Sequence, residues 1–191
     1  MNLKKKTKQK RSSNRVSSIL DAAKEIIELE GLKSFNTNYI AKKCNISIGS
    51  LYQYFQSKEL IFFELINREY NLQISKIEQG FNEVKNLKLE SKLKTIIETS
   101  FNARSLNSYF YQGEKFFDLK QAMKKKNNFE DELFKKSKVF LQESSRNLSP
   151  ERIEQALIVI FNSVKNASSN NEELKNALLN LGVNFLSPQT S

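Results

Sequence analysis

The strongest constraint on how this chain folds is its lack of residues that interrupt helices. Its 191 residues include only 5 glycines and 2 prolines. Apolar residues recur at intervals of three and four, which places them on one face of an α-helix, and no segment has the strict alternation of a half-buried strand. The sequence therefore predicts an all-α protein of about nine helices.

Helix boundaries are marked by residues that terminate or cap helices. Gly31 can end the first helix in the left-handed conformation, and Asn45 is suited to a positive φ at a tight turn. Capping side chains precede several predicted helices: Asn36, Ser47, Ser57, Ser149 and Asn171. Pro150 follows one of these caps and needs no N–H at the first helical position.

Two short predicted helices, one from near Asn36 to Cys44 and one from Ile48 to about Tyr54, are joined by a tight turn. This arrangement is a helix-turn-helix, which forms a three-helix domain with the helix before it. We expect a basic arm and this domain over residues 1–57, and a second helical domain over residues 58–191. Residues 1–12 are a lysine-rich arm that we expect to be too polar to order without a partner.

The second short helix has one apolar side and two aromatic flanks. At 100° per residue, Leu51 and Phe55 lie one turn apart and point into the core of the small domain. Tyr52 and Tyr54 fall on the flanks, where a phenol can reach a phosphate on either side of a major groove.

Three residues of this helix face away from the core. Gln53 can form two hydrogen bonds with adenine, Ser50 can bond to several bases, and Gly49 lets the helix approach the duplex closely. These residue types at this spacing are typical of a recognition helix that lies in the major groove of DNA.

The positive charge of the chain is concentrated at its N-terminal end. Residues 1–58 hold 12 lysines and arginines against 4 acids, so they carry +8 of the formal net charge of +10. We expect Lys58, and either Lys42 or Lys43, to neutralise phosphates, and the arm from Lys4 to Arg15 to follow the DNA backbone or an adjacent groove. A basic solvated tail on an ordinary domain is the alternative explanation of the charge.

The residues that the chain lacks exclude several functional classes. It has one cysteine, Cys44, and no histidine, which excludes an intrachain disulfide, a histidine-containing zinc site and a histidine-based catalytic triad. It also has no glycine-rich phosphate loop and no obvious nucleophile–base pair. We therefore expect no enzyme activity, no cofactor and no metal, and we interpret Cys44 as an inert packed thiol.

The chain also lacks the signals of a membrane or secreted protein. No stretch approaches the roughly 20 apolar residues of a membrane span, and no apolar run follows the basic start. We expect a cytoplasmic protein with no membrane partner. A protein that binds the membrane surface through its basic arm is an alternative, but the polar face of the second short helix favours DNA.

Four segments resemble the N-terminal signature of the tetracycline-repressor (TetR) family: Ile19–Ala23, Gly31, Asn36–Ala41 and, most specifically, Ser47–Lys58. The resemblance covers roughly residues 14–66 and implies a DNA-binding transcriptional repressor whose second domain dimerises and senses a small molecule. Two residues depart from the family pattern. Phe35 replaces a small or hydroxyl residue, and Asn45 replaces the usual turn glycine, which its tolerance of the left-handed region allows.

The resemblance also implies a set of DNA contacts and a dimer. The positions that match family contacts are Asn36 or Thr37, Ser47, Gly49, Ser50, Tyr52, Tyr54 and Lys58. Gln53 is added to this set because its amide can form two hydrogen bonds with adenine. The expected partner is a double-stranded, pseudo-palindromic operator, which calls for a two-fold symmetric protein. The resemblance puts the homodimer interface in the last two helices, over Ile153–Val164 and Leu174–Phe185.

The middle of the chain is dense in aromatic residues, which form either ordinary core or an apolar pocket between helices. The pocket hypothesis names five of them: Phe101, Tyr109, Phe110, Phe116 and Phe134. A small-molecule effector bound there would be mostly apolar, and neutral or anionic because Arg104 and Lys115 lie nearby in the sequence. We expect such a ligand to release the repressor from its operator.

The N-terminal domain by itself leaves one alternative function open. A DNA-binding protein that organises the chromosome without any ligand would use the same domain. The number of genomic binding sites distinguishes the two, since a repressor has few and an organiser has many.

Overall fold

The computed structural model describes the backbone of residues 3–117, 120–167 and 171–187, and the side chains of residues 12–103, 129–167 and 171–187. Over these residues it contains eight α-helices, one short 3₁₀-helix and no strand, which confirms the all-α prediction. The helices are α1 (Leu3–Glu30), a 3₁₀ turn (Leu32–Ser34), α2 (Thr37–Lys43), α3 (Ile48–Tyr52), α4 (Lys58–Val84), α5 (Leu89–Phe117), α6 (Lys120–Ser144), α7 (Pro150–Asn166) and α8 (Glu172–Leu186).

The predicted N-terminal caps are confirmed. Asn36 Oδ1 accepts a hydrogen bond from the backbone N–H of Tyr39 at 2.9 Å, and Ser57 Oγ accepts one from that of Leu60 at 3.3 Å. The side chains of Ser47, Ser149 and Asn171 cap α3, α7 and α8 in the same way. Each cap satisfies N–H groups that have no partner within their own helix.

Both predicted positive-φ positions are also confirmed. Gly31 has φ 77° where α1 ends, and Asn45 has φ 52° between α2 and α3. Asparagine tolerates this region because its short polar side chain can bond locally.

Two helix boundaries differ from the prediction. The basic arm was expected to lack structure, but α1 already begins at Leu3. Lysine, glutamine and arginine are good helix formers, and no glycine or proline separates the arm from the rest of α1. The recognition helix ends at Tyr52, with Gln53 as its C-terminal cap, two residues earlier than expected.

The chain folds into two compact units. The first consists of Met1–Glu69 and Tyr111–Ala122, and the second of Tyr70–Phe110 and Met123–Ser191. The helix α4 therefore has residues in both units. No helix among the described residues is long and apolar enough to cross a membrane.

Each unit has its own apolar core. In the first unit the fully buried side chains come from α1 to α4: Ile19, Ile26, Phe35, Ile40, Leu51 and Ile61. In the second unit they come from α5 to α8: Leu93, Ile96, Ile97, Phe129, Leu133, Leu141, Ile153, Leu157, Ile160 and Leu186. The α4 residue Phe81 stacks on Phe140 of α6, with ring centroids 4.4 Å apart.

Candidate nucleic-acid interface

The helix-turn-helix is held together by an apolar side shared by α2 and α3. Ile40 and Ala41 of α2 are buried, as are Leu51 of α3 and Phe55 just after it. The predicted inward direction of Leu51 and Phe55 is thus confirmed. The turn is closed by the N–H of Ile46, which donates to the carbonyl of Ala41 at 3.0 Å.

Phe35, one of the two departures from the family pattern, belongs to this core. Its side chain is 1% exposed and meets Phe62 of α4 edge to face, with centroids 5.9 Å apart. A large aromatic residue at this position therefore contributes to packing between the 3₁₀ turn and the start of α4.

The opposite side of α3 is open to solvent. Gly49 and Gln53 are exposed, and Tyr52 and Tyr54 are 47% and 37% exposed. Ser50 is half-buried, and its Oγ lies 2.9 Å from that of Ser47. This places the polar groups of one short helix on one surface, with an apolar base beneath them.

The start of α2 adjoins this surface. The hydroxyl of Thr37 lies 3.3 Å from that of Tyr52, so two residues that are 15 positions apart present their hydroxyls side by side. Asn36 is also exposed, but its amide donates to the carbonyl of Ser34 at 3.1 Å while its oxygen caps α2. Of these two predicted contacts, Thr37 has the hydroxyl that adjoins the recognition helix.

The lysines of α2 differ in how available their charge is. Lys43 forms an ion pair with Glu25 of α1 at 2.9 Å, and this contact raises the pKa of Lys43. Lys42 is exposed and has no ion pair within the described part of the chain. Lys58 is the first residue of α4 and is half-buried. Lys42 is therefore the better placed of the two α2 candidates for a phosphate.

Several polar contacts that sequence reasoning missed brace this unit. Tyr39 of α2 donates to Glu30 at 2.6 Å, and this hydrogen bond raises the pKa of the phenol. Between α1 and α4, Arg68 pairs with Asp21 at 2.6 Å. The partners in these contacts are up to 47 positions apart, so no local sequence pattern predicts them.

A second ion pair links the same two helices. Lys24 of α1 pairs with Glu69 of α4 at 2.7 Å. Together with the Arg68 contact it ties α4 to α1 about three turns after α4 begins.

Cys44 lies at the C-terminal end of α2. Its thiol donates to the carbonyl of Ser18 at 3.5 Å, and partial burial raises its pKa. A raised pKa lowers the thiolate fraction, which suits the expectation of an inert residue. Among the described side chains no group of histidine, cysteine and acids could hold a metal ion.

The five aromatic residues of the pocket hypothesis are only partly described. The side chains of Tyr109, Phe110 and Phe116 lie outside the described residues. Phe101 is buried in the second unit, and Lys175 Nζ lies 5.6 Å from the centroid of its ring. Phe134 is half-buried and meets Phe161 edge to face at 5.3 Å.

Comparison with known proteins finds a family match within the first unit. Residues 19–65 match the family described as bacterial regulatory proteins, tetR family. A fatty acid metabolism regulator protein from Bacillus subtilis is 32% identical over 84 residues, which is 44% of this chain and 42% of that protein. The matched stretch thus covers less than half the length of the curated relatives.

Solved structures share the fold over most of the chain. GusR of Salmonella enterica has a TM-score of 0.61 and 16% identity, and covers 91% of this chain and 95% of its own. The fatty acid degradation regulator FadR of Bacillus halodurans has a TM-score of 0.57 and 21% identity, over 88% and 94%. At these identities the likeness concerns the fold.

Proposed function

We propose that this chain is a DNA-binding transcription regulator of the tetR family of bacterial regulatory proteins, and that it is a repressor which a small, mostly apolar ligand releases from a pseudo-palindromic operator. Residues 1–57 read the operator, and residues 58–191 bind the ligand and form the homodimer. The protein works in the cytoplasm and needs no cofactor.

The observation that carries this proposal is the two-sided recognition helix. Gln53 and Gly49 are exposed on a helix whose other side, at Leu51, is fully buried. A rigidly held polar face of this size can enter the major groove, and Gln53 supplies the bidentate chemistry that selects adenine. Tyr52 and Thr37 present neighbouring hydroxyls that suit one phosphate.

The proposed contact set has nine members. They are Asn36, Thr37, Ser47, Gly49, Ser50, Tyr52, Gln53, Tyr54 and Lys58. Lys42 is added because it is exposed and has no ion pair among the described residues.

The homodimer is supported by apolar residues that α7 and α8 leave in solvent. Ile158 and Val159 of α7 are 45% and 43% exposed, and Leu181 and Phe185 of α8 are 49% and 39% exposed. Apolar groups clustered on two adjacent helices favour association with a second copy. A two-fold dimer then presents two recognition helices to successive major grooves.

The chemical class of the ligand and its binding site are the most detailed part of the proposal. The buried Phe101 and the half-buried Phe134 support an apolar site in the second unit. Two of the similar proteins are named for the regulation of fatty acid metabolism and degradation, so acyl compounds are the first to test. Binding would favour a dimer with wrongly spaced recognition helices, with α4 as the connecting element and a coupling of about 1–3 kcal/mol.

DNA footprinting with the full chain tests target, symmetry and release together. We expect protection of two half-sites about 34–36 Å apart between centres, and loss of protection when decanoate is added. Calorimetry checks independently that decanoate binds. If a bound acyl compound left operator affinity unchanged across a titration, and genome-wide mapping found many sites, the chromosome-organising alternative would replace the repressor.

A further inference from the structure

The second unit contains a cavity of about 410 Å³ that lies at one end of its helices. The cavity is bounded by Leu89 at the start of α5, by the loop residues 145–148 after α6, and by Ser187 after α8. Among the described residues, its lining includes an arginine and three serines but no carboxylate. Polar groups of this kind favour an anion over a cation.

A buried cation lies directly behind this wall. Lys92, one turn into α5, is 4% exposed. Its Nζ donates to the carbonyl of Ser144 and, at 3.1 Å, to Ser145 Oγ, and both of these residues line the cavity.

The partners of Lys92 are neutral. Within the described part of the chain, no carboxylate forms an ion pair with it. An ammonium group has three N–H donors, of which these two bonds use two. A buried charge without a counter-charge is costly, and burial accordingly lowers the pKa of Lys92.

Capping of α6 explains only part of this arrangement. The carbonyl of Ser144 belongs to the last residue of α6, and a lysine can satisfy such terminal carbonyls. A helix terminus supplies only about half an elementary negative charge. Within the described residues, the charge of Lys92 is therefore incompletely compensated.

Two further features of the cavity complement an anion with an apolar part. Arg146 is exposed at the cavity and has no ion pair among the described residues. Leu89 and Leu148 add apolar surface to the same walls.

We propose that this cavity binds a small carboxylate with a short apolar body, held by Lys92, Ser145 and Arg146 and packed against Leu89 and Leu148. The carboxylate supplies a counter-charge to the buried ammonium, which lies behind the wall formed by Ser144 and Ser145. The described residues that line this site include no aromatic side chain, and the proposal does not rest on the repressor function.

Calorimetry with the full chain tests the proposal, with butyrate as the probe and butyramide as its uncharged analogue. We expect wild type to bind butyrate and not butyramide. Lys92→Met keeps the length of the buried stem and removes the charge, so it should weaken butyrate binding roughly tenfold, because the carboxylate loses the positive charge behind its wall. Arg146→Gln should weaken it by a smaller factor.

The matched control is Lys94→Met, because the side chain of Lys94 is 66% exposed on the same helix. It should bind butyrate like wild type. If Lys92→Met fails to fold, as judged by circular dichroism, Arg146→Gln and Ser145→Ala decide the matter at less buried positions. The proposal would be overturned if wild type did not bind butyrate or bound butyramide equally well. Wild-type affinity in both Arg146→Gln and Ser145→Ala would overturn it as well.

Discussion

The two units of this chain expose opposite kinds of surface. In the first, α3 shows Gln53 and Tyr52 to solvent above a fully buried Leu51. In the second, α7 and α8 leave Ile158 and Leu181 nearly half exposed. A polar face exposed to water is solvated and carries no hydrophobic penalty. Burial of an exposed apolar face against a second chain, by contrast, lowers the free energy. The exposed surfaces of the two units therefore favour different kinds of partner.

The units also differ in how their surfaces are built. The polar face of the first unit comes from residues 36–58, and its internal bonds join residues 3 to 15 positions apart. The apolar face of the second unit combines two helices separated by a loop. Mutations in the polar face should therefore weaken DNA reading and leave assembly unchanged, whereas mutations in the apolar face should disrupt assembly first. The following experiments test this difference from the largest expected effect to the smallest.

Charges in the exposed apolar face should separate the protomers. Ile158→Glu combined with Leu181→Glu places two carboxylates on the proposed interface without entering the core. We expect monomers by light scattering and a loss of operator affinity of roughly 10²-fold or more, because the two half-sites are no longer bound together.

Two other apolar residues of the second unit provide the control. Leu87 and Val139 are 52% and 50% exposed, so Leu87→Glu with Val139→Glu adds the same charges elsewhere. This control should remain dimeric. If the Ile158/Leu181 variant also stays dimeric, the interface lies on another surface.

Truncation of the apolar base should damage only the first unit. Leu51 is 0% exposed, so Leu51→Ala should lower the free energy of unfolding by about 2–5 kcal/mol in urea titrations. Operator binding should fall while the dimer persists, since α7 and α8 are unchanged. Leu60→Ala, at a position that is 45% exposed, should stay within about 0.5 kcal/mol of wild type. If Leu51→Ala also abolished the dimer, a mutation in the first unit would disrupt assembly, which would contradict the expected independence of the two units.

Removal of the predicted base contact should weaken the operator and spare random DNA. Gln53→Ala should cost about 1–3 kcal/mol of discrimination in competition gel shifts, because its amide no longer pairs with a base. Gln79→Ala, an exposed glutamine of α4 in the second unit, should have no effect. Equal losses on operator and random sequence would contradict the base-reading role of Gln53.

The two α2 lysines should differ in the salt dependence of binding. Lys42→Ala should lower the slope of log affinity against log salt concentration by roughly one on any sequence. Lys43→Ala should change it less, because Lys43 is paired with Glu25 at 2.9 Å. Equal slopes for the two variants would mean that Lys43 leaves Glu25 when DNA binds.

Much of the recognition site could be predicted because it depends on neighbours in sequence. Capping by Asn36 and Ser47, the positive φ of Asn45 and the burial of Leu51 follow from short-range hydrogen bonds and from the helix repeat. The contact between Thr37 and Tyr52 could not be predicted, because it depends on the angle between α2 and α3.

The sequence by itself determined the all-α class and the positions of the caps, since these depend on backbone hydrogen bonds and on periodicity over a few residues. It also carried the resemblance of residues 19–65 to the tetR family. Only the tertiary structure decided which of two adjacent apolar residues is buried, Ile61 at 0% exposed rather than Leu60 at 45%. It also decided that Lys43 forms an ion pair with Glu25 and that Lys92 is buried with no carboxylate partner among the described residues. Such outcomes depend on side chains brought together from distant parts of the chain, whose packing no local pattern encodes.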